Sequence, residues 1–204
     1  MYIMALLSNK AQLLEQVHHS ILAAQTCPQL ASEASQLVFG DGNPSSDVVF
    51  IGEAPGKKED QLGVPFVGAA GRLLNEMLDL IKLKRADVYI TNIVKYRPPA
   101  NRDPLAEEKL AFMPYLQRQL QIIQPKLVVT LGRHAANCFL PDLKIGQDHG
   151  IVKRLTLEFI DSKLTIKLLP LYHPAAALYN GSMRQTLFDD FSQIPALINN
   201  NDTI

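Results

Sequence analysis

The sequence is poor in the features that mark a secreted, membrane-bound or strongly basic protein. Across its 204 residues no apolar run approaches the ~20 residues that a membrane span requires. The first residues, MYIMALLSNK, lack the basic start and the long apolar stretch of a signal peptide. Basic and acidic residues number 20 each, so the formal net charge is zero and any nucleic-acid-binding surface must be a local patch. We therefore expect a cytoplasmic protein without a membrane partner.

Cysteine is also scarce in this chain. Cys27 and Cys138 are its only two cysteines, they lie far apart in the sequence, and neither belongs to a CxxC pair. Such sparse usage is typical of a reducing compartment. Neither thiol by itself defines a metal site.

Alternating strand-like and helix-like patterns predict an α/β fold. Strands are predicted at 48–53, 87–95, 126–132 and 165–173, with 154–160 as a hairpin partner, and helices at about 5–24, 71–81, 103–124 and 183–194. Such alternation builds parallel βαβ units with helices on both faces of a sheet. We predict a single domain over 1–204, a three-layer α/β/α sandwich around a mainly parallel four-stranded sheet. The segment 41–46, DGNPSS, is interpreted as a linker-like turn.

Polar residues follow each predicted parallel strand at its carboxyl end. Glu53 follows the first strand, Asn92 lies near the end of the second, Gly132-Arg133-His134 follow the third, and His173 follows the fourth. Ligands of open α/β sheets bind beyond these strand ends. The sequence therefore predicts a site at one edge of the sheet.

The loop after the first strand, GEAPGKKED, carries three carboxylates, those of Glu53, Glu59 and Asp60. A phosphate-binding loop would instead present backbone N–H groups and cations. Carboxylates in a ligand crevice suit a reaction that builds positive charge or orients a water, and glycosidic cleavage does both. Solvated surface acids, a helix cap or a divalent metal held by the three remain alternatives at this point.

Three more side chains at this edge are suited to a flat, polar ligand. Phe66, in the Pro/Gly-framed loop PFVG, could stack on a planar ring, although core packing is an alternative. Asn92 presents an amide donor and acceptor side by side, as bidentate reading of a base edge requires. His173 could donate a ring N–H to an oxygen that gathers negative charge, or could be structural.

Five motifs together carry a family resemblance. GEAPGKKED, GVPFVGAAGRLL, TNIVKYRPPANRDP, PKLVVTLGRHAA and YHPA occur in this order between about Ala24 and Phe191. In order and spacing the chain resembles the family 4 uracil-DNA glycosylases. The resemblance implies a monofunctional enzyme that hydrolyses the N-glycosidic bond of uracil in DNA, with the base flipped out of the duplex, and leaves an abasic site. It also implies a monomer.

The resemblance also implies roles for the residues at the matching positions. Glu53 orients or polarises water and offsets charge on the sugar, and Glu59 lines the pocket near C5 of the base. Phe66 stacks on uracil, Asn92 pairs with its N3–H and O4 edge, and His173 donates to O2. Glu53, Asn92 and His173 are the expected catalytic residues.

One substrate-site position departs from other glycosylase families. Ala54 stands where some of them place an aspartate, so water activation falls to a glutamate or to the reactivity of the sugar. A lyase mechanism would need a desolvated nucleophilic lysine. Lys95 is the nearest lysine to the crevice, and we expect it to contact phosphate instead.

The remaining expected contacts are with DNA. Lys95, Arg97 and Arg102 should contact its backbone, and such contacts would make binding steeply salt-dependent. The loop after His173 is where the family inserts residues into the duplex. Its candidates here are Leu178, Tyr179 and Arg184, although ALYN departs from the usual Leu-Leu-Arg pattern.

The cysteines that family 4 members use to hold an iron–sulfur cluster are mostly replaced. The four matching positions are Ala24, Cys27, Tyr96 and Phe112, and one thiolate cannot hold a cluster that takes four. We predict no cluster, no metal and no other cofactor. Tyr96 and Phe112 are expected to fill the vacated volume as a small aromatic core.

Two functions of other classes remain open. A catalytically weak or inactive relative could bind damaged DNA with the same fold. A nucleotide-binding protein could use GEAPG as a phosphate loop, which the carboxylates disfavour.

The absence of a cluster can be tested directly. We expect protein purified without oxygen to contain no stoichiometric iron or acid-labile sulfide, because three of the four ligand positions lack a thiol. Stoichiometric iron in such a preparation would refute the prediction.

Overall fold

The computed structural model describes the backbone of residues 2–199 and the side-chain environments from Asn9 onward. Its strands are β1 Asp41–Gly42, β2 Val48–Gly52, β3 Tyr89–Asn92, β4 Leu127–Leu131, β5 Lys153–Glu158 and β6 Lys163–Leu171. Its helices are α1 Tyr2–Ala23, α2 Pro28–Glu33, α3 Lys57–Leu62, α4 Ala69–Leu80, α5 Ala106–Ile123, α6 Arg133–Asn137, α7 Ile145–Asp148, α8 Pro174–Ala177, α9 Gly181–Phe191 and α10 Ile194–Asn199. Short 3₁₀ turns occupy Arg85–Asp87 and Pro99–Asn101.

The strands form one mixed sheet in the order β1-β3-β2-β4-β6-β5. The four central strands are parallel, as predicted, but the sheet has six strands because an antiparallel strand is added at each edge. β5 is the predicted hairpin partner of β6. β1 was not predicted, because its two residues, Asp41 and Gly42, carry no strand pattern and are recognisable only by their pairing with β3.

Both faces of the sheet are covered by helices, which confirms the three-layer fold. Val48 and Phe50 of β2 belong to the core on the α4 and α9 side. Val49 and Ile51 alternate with them and belong to the core shared with α1 and α5. Burial on both faces explains why the parallel strands are continuous apolar runs. In the described part of the chain, no helix is both long and apolar enough to cross a membrane.

The parallel strands end level with one another. Gly52 is paired with Asn92, Ile51 with Thr130, and Leu131 with Leu171. The loops that follow β2, β3, β4 and β6 therefore leave the sheet at one edge, as predicted. The proposal of a single domain over 1–204 stays a prediction, since residues 1 and 200–204 lie outside the described residues.

A third, smaller core lies between α1, α2, α5 and the segment after β3. Tyr96 and Phe112 pack edge to face in it, with ring centroids 6.0 Å apart, beside Ile21, Leu30 and Val94. The predicted aromatic packing at the two cysteine positions is therefore confirmed.

The residues at the cluster positions do not fit a four-thiolate cluster. Cys27 contacts the third core, whereas Cys138 packs against the core shared by α1 and α5, and Ala24 is exposed. Burial, followed by the charges of Glu108 and Glu107, raises the pKa of the Cys27 thiol. Metal ligation requires a thiolate, so this environment disfavours it.

The third core should contribute measurably to stability. The ring of Phe112 is fully buried, and we expect Phe112→Ala to lower the free energy of unfolding by about 3–5 kcal/mol in urea denaturation. Leu110→Ala, on the same helix with its side chain 72% exposed, is the matched control and should change it by less than about 0.5 kcal/mol. Equal stabilities of the two variants would show that the aromatic core does not support the fold.

Candidate active site

A cavity of about 390 Å³ opens at the sheet edge where the parallel strands end. Its volume is in the range of small-molecule sites. All of the predicted catalytic and substrate-binding residues line it, namely Glu53, Ala54, Glu59, Phe66, Asn92 and His173. The structure therefore brings together side chains that are up to 120 positions apart in the sequence.

Asn92, the last residue of β3, lines this cavity and carries an unsatisfied hydrogen-bond acceptor. Its side chain is buried and its Oδ1 has no partner among the described residues. An unpaired buried acceptor is costly, so a ligand N–H would stabilise this site. Gly52 leaves the room for it, because a Cβ at this position would collide with Asn92 Oδ1 and with the Phe66 ring.

The Phe66 ring forms a wall of the cavity next to His173. The two rings lie 5.7 Å apart between centroids and are inclined by 30°. The φ angle of Phe66 is 52°, in the left-handed region that residues other than glycine seldom occupy. The ring thus occupies its place through an unusual backbone conformation.

His173 is held as a neutral hydrogen-bond donor. It caps α8, where the Ala175 N–H donates to its Nδ1 at 3.1 Å. In the neutral ring the proton must therefore be on Nε2. Burial lowers the pKa of His173 to about 4, against a smaller opposing effect of Glu59. At neutral pH the Nε2–H can donate to a ligand without carrying a positive charge.

Only one of the three carboxylates in the acidic loop is free to act on a ligand. Glu59 Oε1 accepts hydrogen bonds from the N–H groups of Val67 and Gly68, at 2.9 and 2.7 Å, where α4 begins. The buried Asp60 accepts from the N–H and the hydroxyl of Ser35, both at 2.8 Å. Glu59 therefore occupies the place of an anion at this helix start.

These contacts bear on two of the open alternatives. A phosphate loop at GEAPG is disfavoured, because Glu53 and Glu59 bring carboxylates to the same cavity. A metal held jointly by Glu53, Glu59 and Asp60 is not supported either, since Asp60 is directed to Ser35.

Glu53 is the remaining carboxylate, and its surroundings raise its basicity. Burial is the main cause that raises the pKa of Glu53; Asp103 adds to it, and His134 opposes it. His134 Nε2 lies 3.9 Å from Glu53 Oε1 and 3.0 Å from Asp103 Oδ2. Sequence reasoning missed this arrangement. His134 was noted only for its place after β4, and Asp103 was interpreted as a helix start.

The geometry of these three groups could also hold a metal ion. One donor atom each from Glu53, Asp103 and His134 lies within 4.8 Å of the other two. Arg133, however, donates from Nη2 to Asp103 Oδ2 at 3.3 Å and from Nε to His134 Nε2 at 3.2 Å. A cation already engages two of the three ligands, so we assign no metal to them.

The prediction that Lys95 contacts DNA phosphate is wrong. Lys95 is fully buried, and its Nζ donates to Thr91 Oγ1 at 2.6 Å, to the Asn92 carbonyl at 2.8 Å and to Gln119 Oε1 at 2.7 Å. Burial lowers its pKa well below the ordinary value. The side chain has no exposed surface to offer to DNA, and it does not line the cavity.

The two arginines after β3 lie on the surface near the cavity. Arg97 is half-buried and donates to Asn101 Oδ1 at 2.7 Å. Arg102 lines the cavity mouth and makes a bidentate ion pair with Glu108 at 2.9 and 2.6 Å.

The loop candidates after His173 differ in exposure. Tyr179 is 96% exposed, whereas Leu178 is half-buried and packs against the sheet core. Arg184 pairs with Glu76 of α4 and lies over the Phe188 ring. DNA contact by these side chains and by the two arginines stays a prediction.

Comparison with known proteins agrees with this geometry. The family model of the uracil DNA glycosylase superfamily matches residues 39–194. The chain is 42% identical over 188 residues to a type-4 uracil-DNA glycosylase from Sulfurisphaera tokodaii, covering 90% of this chain and 84% of the relative. It is 44% identical over 186 residues to a type-4 uracil-DNA glycosylase from Archaeoglobus fulgidus, covering 90% of this chain and 92% of the relative. It is 45% identical over 163 residues to a type-4 uracil-DNA glycosylase from Saccharolobus solfataricus, covering 77% of this chain and 74% of the relative.

The family model matches most of this chain, and the sequence identities extend over most of each relative. The chain belongs to the uracil-DNA glycosylase superfamily and, within it, to the type-4 family.

Proposed function

We propose that this chain is a monofunctional DNA glycosylase that hydrolyses the N-glycosidic bond of uracil in DNA and leaves an abasic site for base excision repair. The buried, unpartnered Oδ1 of Asn92 is the observation that supports this most directly. It lies in a cavity with an aromatic wall and a neutral imidazole donor, which matches the edge, face and O2 of a uracil ring. The names of the relatives agree with this assignment.

Base selection follows from the amide of Asn92. Uracil N3–H would donate to Oδ1, and the amide NH₂ would donate to O4. Cytosine would place an acceptor, N3, against Oδ1 and leave that buried oxygen unpaired, a mismatch that sites of this kind reject strongly. Glu59 would face C5, and its two backbone hydrogen bonds keep it from moving aside for the methyl group of thymine.

Departure of the base would be assisted by His173. As the bond between N1 and C1′ breaks, its electron pair passes to the ring, and charge collects on O2. The Nε2–H of the neutral imidazole would donate to that oxygen, an interaction that strengthens as the charge develops. Phe66 would stack on the ring throughout, where stacking of a base on an aromatic side chain is worth about 1–3 kcal/mol.

Water addition would be assisted by Glu53. Its ionised carboxylate offsets the positive charge on the sugar and accepts a proton from the water whose oxygen bonds to C1′. The neighbouring Ala54 has no group that could compete for this proton. The uracil anion then takes up a proton from solvent.

DNA would present the uracil extrahelically, because the base must leave the stack to reach a cavity of this size. Tyr179, the most exposed large side chain of the loop after His173, is our candidate for the residue that enters the duplex, with Leu178 behind it. Arg97, Arg102 and Arg184 would contact phosphates and make binding salt-dependent. We propose further that the enzyme acts as a cytoplasmic monomer and without a cofactor.

The assignment can be tested with a uracil-containing oligonucleotide, followed by alkali to cut at abasic sites. We expect strand scission with the wild-type protein. Asn92→Ala and His173→Ala should each lower the single-turnover rate by about 10²–10³-fold, because each removes a preorganised hydrogen bond. Leu110→Ala, remote from the cavity, should retain full activity. Binding of the oligonucleotide without any scission would instead identify an inactive damage-binding relative.

The pH profile tests the role of Glu53. Because its pKa is raised and its ionised form is required, the rate should fall with decreasing pH at a higher pH than for an ordinary glutamate. His173, with a pKa of about 4, remains neutral through that range and should not set this limb. His134→Gln removes the strongest of the groups that lower the Glu53 pKa, so the acid limb of the single-turnover rate should move to higher pH. If the acid limb does not move in His134→Gln, a group other than Glu53 controls the rate at low pH.

A further inference from the structure

We propose that Arg85 is a positioning residue for base stacking, because it fixes the backbone on both sides of Phe66. Its Nη2 donates to the Pro65 carbonyl at 2.5 Å and its Nη1 to the Phe66 carbonyl at 3.2 Å. Arg85 lies in the turn before β3, nineteen positions from Phe66, and does not line the cavity.

Two adjacent carbonyls held by one guanidinium define the conformation of the residue between them. The Pro65 carbonyl belongs to the peptide before the Phe66 Cα, and the Phe66 carbonyl to the peptide after it. Because peptide units are planar, fixing both fixes φ and ψ of Phe66. The resulting φ of 52° is one that a phenylalanine seldom adopts unaided.

The second of these peptides is held from both ends. Its oxygen accepts from Arg85, and its N–H, on Val67, donates to Glu59 Oε1 at 2.9 Å. The Phe66 carbonyl also lies against the backbone of α4, where a Cβ at Gly71 would collide with it. Such an enclosed carbonyl needs a donor, and Arg85 supplies one.

The environment of Arg85 keeps the guanidinium in place. Its side chain is 25% exposed, and Nη2 lies 3.6 Å from Asp41 Oδ2. Nη1 also donates to Asn75 Oδ1 of α4 at 3.4 Å. Burial lowers the pKa of Arg85 and the Asp41 carboxylate opposes this shift, so the two-residue strand β1 supplies the counter-charge for the clamp.

The consequence is a defined chain of contacts from β1 to the ligand. Asp41 holds Arg85, Arg85 holds the two carbonyls, and the left-handed Phe66 turns its ring towards Gly52 and His173. Lysine could not replace this arrangement, because an ammonium lacks the planar fork that reaches two acceptors at once. The role as a stacking aid rests on the proposed function; the control of the Phe66 conformation does not.

A double-mutant cycle separates positioning from general stabilisation. In single-turnover assays on the uracil oligonucleotide, Arg85→Met should lower kcat/KM by about 5- to 100-fold, the equivalent of most of one stacking contact. In a Phe66→Ala background the same change should cost less than about twofold, because the ring it positions is gone. With Arg85→Lys, kcat/KM should lie between the values for the wild type and Arg85→Met. Arg118 is an exposed arginine bonded to Gln121, and Arg118→Met should have no effect. Equal losses in both backgrounds would reduce Arg85 to a structural role.

A second measurement does not depend on activity. The chain has no tryptophan, so Phe66→Trp would place a single fluorophore at the ring position. Adding Arg85→Met to this variant should shift its emission to longer wavelength and increase quenching by acrylamide, while far-UV circular dichroism stays unchanged. Adding Arg118→Met should do neither. Unchanged emission and quenching with Arg85→Met would overturn the clamp even if the enzyme proved inactive.

Discussion

An unsatisfied oxygen at the end of a buried strand is the constraint around which this site is organised. Asn92 Oδ1 is buried without a hydrogen-bond partner among the described residues, which costs free energy that a ligand N–H would recover. The neighbouring strand has Gly52 at the paired position, where a Cβ would collide with Asn92 Oδ1 and with the Phe66 ring. The level ends of the parallel strands then bring Glu53 and His173 to the same cavity. The side chains to which we assign selectivity and chemistry thus come together at one edge of the sheet.

The acidic loop shows how one short segment supports several functions. Asp60 anchors it to Ser35, Glu59 takes the anion position at the start of α4, and only Glu53 is left to act on a ligand. A phosphate cradle would present N–H groups and cations, whereas Glu53 and Glu59 of this loop bring carboxylates to the cavity.

The third core has packed aromatic rings at positions where type-4 relatives are expected to have cysteine ligands of an iron–sulfur cluster. Edge-to-face packing of Tyr96 on Phe112 joins α5 and the segment after β3 to α1 and α2, in the place where the matching pattern has cysteines. Apolar burial can connect these elements without a thiolate. Ala54, which lines the cavity, packs against this core, so the change lies next to the candidate site.

The parallel strands, the helices on both faces and the side chains that line the cavity could be predicted from the sequence, because apolar periodicity and strand-end position are local properties. The sequence could not reveal that Lys95 turns inward, since the acceptors that hold it include Gln119, 24 positions away on α5. Nor could it identify β1 or Arg85, whose importance lies in partners 49 and 20 positions away at Ile90 and Pro65. These features become visible in the folded chain alone, because a hydrogen bond or an ion pair depends on distances that folding creates.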